Sequence, residues 1–328
     1  MDGPSVIAHS IDRYRLLEYA YHHRTVEMSN KKDAEELDIL RKEYDLGGAR
    51  SAETHYYLVQ TEVLIRKPNG KRKSIDTFSL HLIVEPGNQS SGEADKFTCT
   101  RFTVQSEDGP EVTIPSLAGW SYEVNKQLLD DRALDEHGQL YAIPEEKFKV
   151  LIDSTGKKLS FDAAYQVYSA FVYYHSFVAY AEPIEGKGIQ DLKKIGDKIV
   201  LEHSFFEDPI PGELAAKGSV YKTGEETMEF KGLSVVDDVP CAMLGFDWGE
   251  CYLTMYIKPM PLMKLKIAGG SHCQGDIYLD LKSYWVKQLT MTLSEMTQVS
   301  MLGLPISKTV PLTHLLIKAV SKDESDQG

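Results

Sequence analysis

His175 is the side chain best placed for chemistry. It lies in the long apolar run from Ser160 to Ala181, beside Tyr174 and one helical turn after Phe171. An imidazole in an apolar interior sheds its charge and can act as a general base. To do so it needs a carboxylate or hydroxyl within hydrogen-bond reach. The competing reading is a core histidine held by ordinary hydrogen bonds. His272-Cys273 follows Gly269-Gly270-Ser271, with Cys241, Cys251 and Asp247 elsewhere in the same β-rich stretch. Thiolate and imidazole suit zinc, but these ligands are scattered rather than paired by spacing. Adjacent strand residues point to opposite faces, so His272 and Cys273 do not form a nucleophile–base pair. The same geometry separates His22 from His23. His203 shares a strand face with Ile199 and Leu201 and reads as core. Asp135-Glu136-His137 lies in a polar stretch, and Asp237, Asp238 and Asp247 sit at turns that Asp favours. No dinucleotide, phosphate-loop, serine-hydrolase or metalloprotease motif is present. No metal and no cofactor is expected, and no motif names a reaction.

Aromatic content is the more informative signal. The chain has 18 tyrosines beside 11 phenylalanines. Tyrosine offers an apolar body with a polar tip, which suits the wall of a site for an amphipathic ligand; it also simply favours strands. The expected interior wall is Trp120, Tyr168, Phe171, Tyr174, His175, Phe177 and Trp285.

The elements that must position these residues are mostly strands. Short apolar runs between Gly- and Asp-rich tetrapeptides predict a hairpin array over 218–291. Its turns are expected at Lys222–Glu225, Val236–Val239 and Asp247–Glu250. In the last strand, Trp285, Lys287, Leu289, Met291 and Leu293 are expected on one face, with Tyr284, Val286 and Gln288 on the other. Earlier, Glu53–Arg66 predicts a strand with Tyr57, Val59, Thr61, Val63 and Ile65 along one face. The basic tip 66–73 returns it as Ile75–Val84, and further strands are expected at Phe97–Gln105, Val112–Ile114 and Trp120–Val124. The spacing predicts a helix over Asn30–Tyr44 and leaves 11–29 ambiguous. Ser160–Ala181 predicts a helix apolar nearly all round, capped by Ser160 and stopped before Pro183, and therefore buried. Lys198–Phe205 is a further expected strand. The division expected is a helical segment (1–50), a β region (51–130), a linker with the buried helix (131–197), a second β region (198–320) and a disordered tail (321–328).

A net charge of −13 excludes the basic footprint of a nucleic-acid binder. No apolar run reaches the roughly 20 residues that span a bilayer, and the first ten residues lack the pattern of a signal peptide. The four cysteines form no C-x-x-C and read as reduced thiols in a cytoplasmic protein. Cys241 and Cys251 fall on neighbouring predicted strands, which leaves a disulfide between them open.

The succession Thr227–Leu233, Val239–Asp247 and Gly275–Leu293 resembles the hairpin series of uncharacterised bacterial β-rich proteins similar to lipoprotein-carrier open barrels. The resemblance covers the last third of the chain. It implies a curved antiparallel sheet around a helix, with an apolar-ligand site beneath. The fold expected is mainly β (α+β), with curved antiparallel sheets or half-barrels packed around a central apolar helix. The function expected is non-enzymatic binding or carriage of an apolar or amphipathic small molecule or lipid. The alternatives are a hydrolase or isomerase using His175, and a protein-interaction scaffold.

Overall fold

The computed structural model describes residues 39, 41–66, 71–87, 93–107, 109–124, 145–148, 150–183, 186–201, 207–209, 218–260, 263–301 and 303–327. The chain divides into two units, Met1–Glu43 and Tyr44–Gly328. The expected helix over Asn30–Tyr44 falls largely outside the described residues, although Ile39 and Arg41 are helical. The segment 11–29, the polar stretch 130–138 and His203 also lie outside them.

In the second unit the strands are β1 (His55–Arg66), β2 (Arg72–Glu85), β3 (Asp95–Ser106), β4 (Val112–Thr113) and β5 (Trp120–Val124). Helix α1 (Phe161–Ala179) follows, then β6 (Lys198–Val200), β7 (Glu207–Pro209), β8 (Val220–Lys222) and β9 (Glu226–Val236). Four long strands close the sequence, β10 (Val239–Met260), β11 (Met263–Asp280), β12 (Val286–Met301) and β13 (Leu304–Val320), before a short α2 (Lys322–Gln327). All strands join one 13-stranded sheet with the path β4-β3-β2-β1-β13-β12-β11-β10-β8-β7, which does not close on itself. The pairings are antiparallel throughout. The two β-rich stretches therefore meet along β1 and β13, where Val59 opposes Ile317 and Thr61 opposes Leu315.

The period-2 pattern accounts for the core. Tyr57, Val59, Thr61 and Val63 of β1 are buried on one face, as are Phe78, Leu80, Leu82 and Val84 of β2. In β3 the buried set changes parity, from Phe97 and Cys99 to Phe102 and Val104. A register shift at Thr100 causes this, because Leu82 opposes Cys99 while His81 opposes Arg101. Bulges also correct two expectations. Asp247–Glu250 is not a turn: β10 runs through it, and Gly249 and Glu250 form a bulge between the pairs Trp248–Cys273 and Cys251–Ser271. In β12 the shift between Tyr278 and Leu279 leaves Lys287 unpaired. Val286 thus joins Leu289 and Met291 in the core rather than facing the other way with Gln288. Cys241 and Cys251 accordingly lie on the same strand and cannot face each other, and all four cysteines are free. The Val236–Val239 turn is as expected, with Asp237 and Asp238 at φ 48° and 62° in the two-residue hairpin geometry.

Helix α1 forms where the sequence places it. The Ser160 hydroxyl accepts the Ala163 N–H at 3.2 Å, supplying one orphan donor of the first turn with a partner. Val167, Ala170, Phe171, Tyr174, Phe177 and Val178 are all buried. Ring contacts fix the helix against the sheet, with Tyr57 to Tyr174 at 5.3 Å, Phe102 to Phe171 at 5.9 Å and Phe177 to Phe246 at 5.4 Å. Each fully buried aromatic contributes about 1.5–3 kcal/mol.

Candidate functional site

The aromatic residues expected around α1 separate into two groups. Trp120, Tyr168 and Phe171 pack with Phe148 in a ring cluster, with Phe148 at 5.6, 5.2 and 5.4 Å from them respectively. Phe177 stacks on Trp248 at 5.0 Å. These four are packing residues in this structure. Tyr174, His175 and Trp285 instead converge on a small cavity of about 20 Å³ between sheet and helix. Its other lining residues include Arg50, Asp95, Glu182, Phe97 and Val124.

The polar wall is built by three segments. Arg50 precedes β1, Asp95 opens β3, and Glu182 follows the last turn of α1. The Arg50 guanidinium donates from Nη2 to Asp95 Oδ2 at 2.8 Å and from Nη1 to Glu182 Oε1. All three side chains are nearly withdrawn from water, at 8% exposure for Arg50, 9% for Glu182 and 15% for Asp95. Burial opposes the charge on Arg50, but the Glu182 and Asp95 carboxylates more than offset it, so its pKa lies above the ordinary value. Asp95 also accepts the Gly87 N–H at 2.9 Å, which anchors the chain entering β3. The Trp285 ring lies 4.1 Å from the Arg50 guanidinium carbon, and its indole N–H donates to the Ser51 carbonyl at 2.9 Å.

Two buried polar atoms on this wall, Arg50 Nε and the Tyr174 hydroxyl, have no hydrogen-bond partner among the described residues. Such groups are rare, because an unpaired buried donor costs about 1–3 kcal/mol. His175 is 3% exposed. Its Nε2 lies 2.8 Å from the Tyr122 hydroxyl, and Phe97 packs against its ring at 4.6 Å. Burial pushes its pKa down to about 3 and that of Tyr122 well up, so both are neutral at pH 7. His55, tilted against the Trp285 ring at 4.4 Å, is pushed down to about 4 by burial.

Further buried polar groups involve Tyr173 of α1 and Tyr180 just after it. The Tyr180 hydroxyl donates to Glu226 at 2.8 Å, and Glu226 is 1% exposed. Burial raises the carboxyl of Glu295, and it raises the Tyr173 hydroxyl further with Glu295 close by. His272 and Cys273 behave differently from each other. His272 pairs with Asp247 at 3.0 Å on the half-exposed face, while Cys273 is buried with its pKa raised by burial. Among the described residues no group of three or more His, Cys, Asp or Glu side chains gathers in a metal-binding arrangement.

Sequence reasoning found the helix side of the cavity and missed Arg50, Asp95 and Glu182. Those residues sit in loops or at element ends, where charge looks solvated. Asp95 and Glu182 lie 45 and 132 positions from Arg50, so no spacing signal joins them.

No family model matches this chain, and no curated protein matches it. Among solved structures it is similar to an outer membrane channel from Pseudomonas putida F1, at 6% identity and a TM-score of 0.16, over 84% of this chain and 98% of that one. A likeness of that size carries no argument about fold or function. Among the described residues no helix is long and apolar enough to cross a membrane.

Proposed function

We propose that the protein is a non-enzymatic binding or carrier protein for an amphipathic small molecule, whose polar end enters the cavity between sheet and α1. The observation that carries this reading is the pair of unpaired buried groups, Arg50 Nε–H and the Tyr174 hydroxyl, on residues that line a cavity with Phe97, Val124, Val178 and Trp285 as apolar walls and Asp95, His175 and Glu182 as polar ones. Apolar walls with a few convergent polar groups are the usual form of a small-molecule site. The volume of about 20 Å³ admits one water-sized group. Only the ligand's terminal polar group therefore fits the cavity.

The chemistry of the wall favours a neutral head. One guanidinium between two carboxylates leaves the site net negative, which opposes a ligand carboxylate. A hydroxyl accepts from Arg50 and pairs with Tyr174 at once. The resemblance of the hairpin series to lipoprotein-carrier open barrels agrees with an apolar ligand. The second reading is an enzyme using His175, favoured by the Tyr122 hydroxyl within hydrogen-bond reach. A base with a pKa near 3 is a poor proton acceptor at neutral pH, which ranks this reading second.

Trp285 lines the cavity and reports on it directly. Titration with 1-octanol is expected to give a saturable change in tryptophan emission that Trp285→Phe removes, with octanoate binding about tenfold more weakly. A saturable change of equal size in Trp285→Phe would place the ligand elsewhere, and none with either probe would sink the reading.

A further inference from the structure

The acidic residues of this chain are unevenly placed. Of 49 Asp and Glu, none falls between Cys251 and Gln274 or between Met296 and Ser321, whereas Lys258, Lys264, Lys266, Lys308 and Lys318 do. These two stretches contain the β10–β11 and β12–β13 hairpins. Met260 pairs with Met263 at the first tip, and Met301 pairs with Leu304 at the second. Leu265 of β11 opposes Met301 of β12, so the two tips stand side by side at one end of the sheet.

The second tip is apolar and exposed. Leu304 is 72% exposed, Ile306 57% and Met301 37%. Lys266 and Lys308 are exposed beside them. The sequence across the first tip, Ile257-Lys258-Pro259-Met260-Pro261-Leu262-Met263-Lys264-Leu265-Lys266, has the same composition of aliphatic side chains, methionine, proline and lysine. Large apolar side chains at a hairpin tip are costly in water, and they are the mark of a docking surface. Exposed lysines around them, in a chain of net charge −13, specify the charge of what docks.

We propose that the paired hairpin tips dock on an anionic lipid surface, with Leu304, Ile306 and Met301 entering the headgroup region and Lys266 and Lys308 held against it. Lysines near such a surface are attracted by its negative potential, and the apolar side chains add transfer free energy on burial. The rest of the acidic chain is repelled, so the molecule stands on this end. The inference does not depend on the cavity and stands or falls separately from it.

Co-sedimentation of the full chain with phosphatidylcholine vesicles, with and without phosphatidylserine, tests it. Binding is expected only with phosphatidylserine and is expected to fall at high salt. Leu304→Ser/Ile306→Ser and Lys266→Glu/Lys308→Glu are each expected to reduce partitioning about tenfold or more. Their circular dichroism should be unchanged, since all four side chains are exposed. Absence of wild-type binding to phosphatidylserine vesicles, or undiminished binding by both variants, overturns the proposal. So does sedimentation velocity showing a self-associated species that Leu304→Ser/Ile306→Ser dissociates without any vesicle binding, which would assign the tips to a second copy of the chain.

Discussion

Arg50→Met is expected to lower the unfolding free energy by about 3–5 kcal/mol, because it leaves Asp95 and Glu182 buried without their shared cation. The loss should appear as a shift in the denaturant midpoint at an unchanged m-value. Arg50 ties the segment before β1 to the start of β3 and the end of α1, so its removal frees three chain segments at once. The larger part of the effect is the penalty on the orphaned carboxylates rather than the attraction lost. Arg50→Met/Asp95→Asn/Glu182→Gln should therefore recover much of the deficit, since neutral side chains need no counter-charge. A single variant within about 1 kcal/mol of wild type would mean that the carboxylates find water or other donors, and the triad would then be peripheral to the fold.

The second large effect concerns acid. His175 is neutral in the folded protein, with its pKa depressed to about 3 by burial, whereas in the unfolded chain it titrates near 6.5. Between these values the unfolded state binds the extra proton. Stability therefore rises with pH, and it falls as pH drops below 6.5 by about 1.4 kcal/mol per pH unit from this residue alone. Above 6.5 the residue adds no pH dependence. His55 and His81 are also depressed, chiefly by burial, and act in the same direction. They remain in His175→Gln, so the difference between wild type and variant isolates His175. That variant keeps a hydrogen-bonding terminus toward Tyr122, and any deficit it has at pH 7 should shrink as pH falls toward 4. Parallel stability curves for the two proteins across that range would show that the imidazole is hydrated or already protonated in the folded state.

The buried helix was legible because Val167, Ala170, Phe171 and Tyr174 recur at helical spacing and Ser160 offers a cap. The faces of β1 were legible because Tyr57, Val59, Thr61 and Val63 alternate without interruption. The bulges at Thr100, Lys287 and Gly249–Glu250 were not legible. A bulge shifts side chains by one position without requiring any particular residue, and Asp247-Trp248-Gly249-Glu250 carries the same letters as a turn. The β1–β13 ladder joins residues more than two hundred positions apart, and local periodicity holds no information on such pairing. The site divides in the same way. Tyr174 and His175 were readable from the helix, and Trp285 from its aromatic character. The ion triad beside them joins residues 45 and 132 positions apart, a separation that local spacing does not signal.

A ligand whose polar end occupies the cavity beside α1 would be carried with the protein, and native mass spectrometry of protein purified from its own host would detect it. Tyr174→Phe removes the unpaired hydroxyl without adding bulk, so it should fold at least as stably as wild type. Wild type is expected to carry a mass excess that denaturation releases and that Tyr174→Phe lacks or carries at much lower occupancy. A bare wild-type mass, or an equal excess on both proteins, would contradict it.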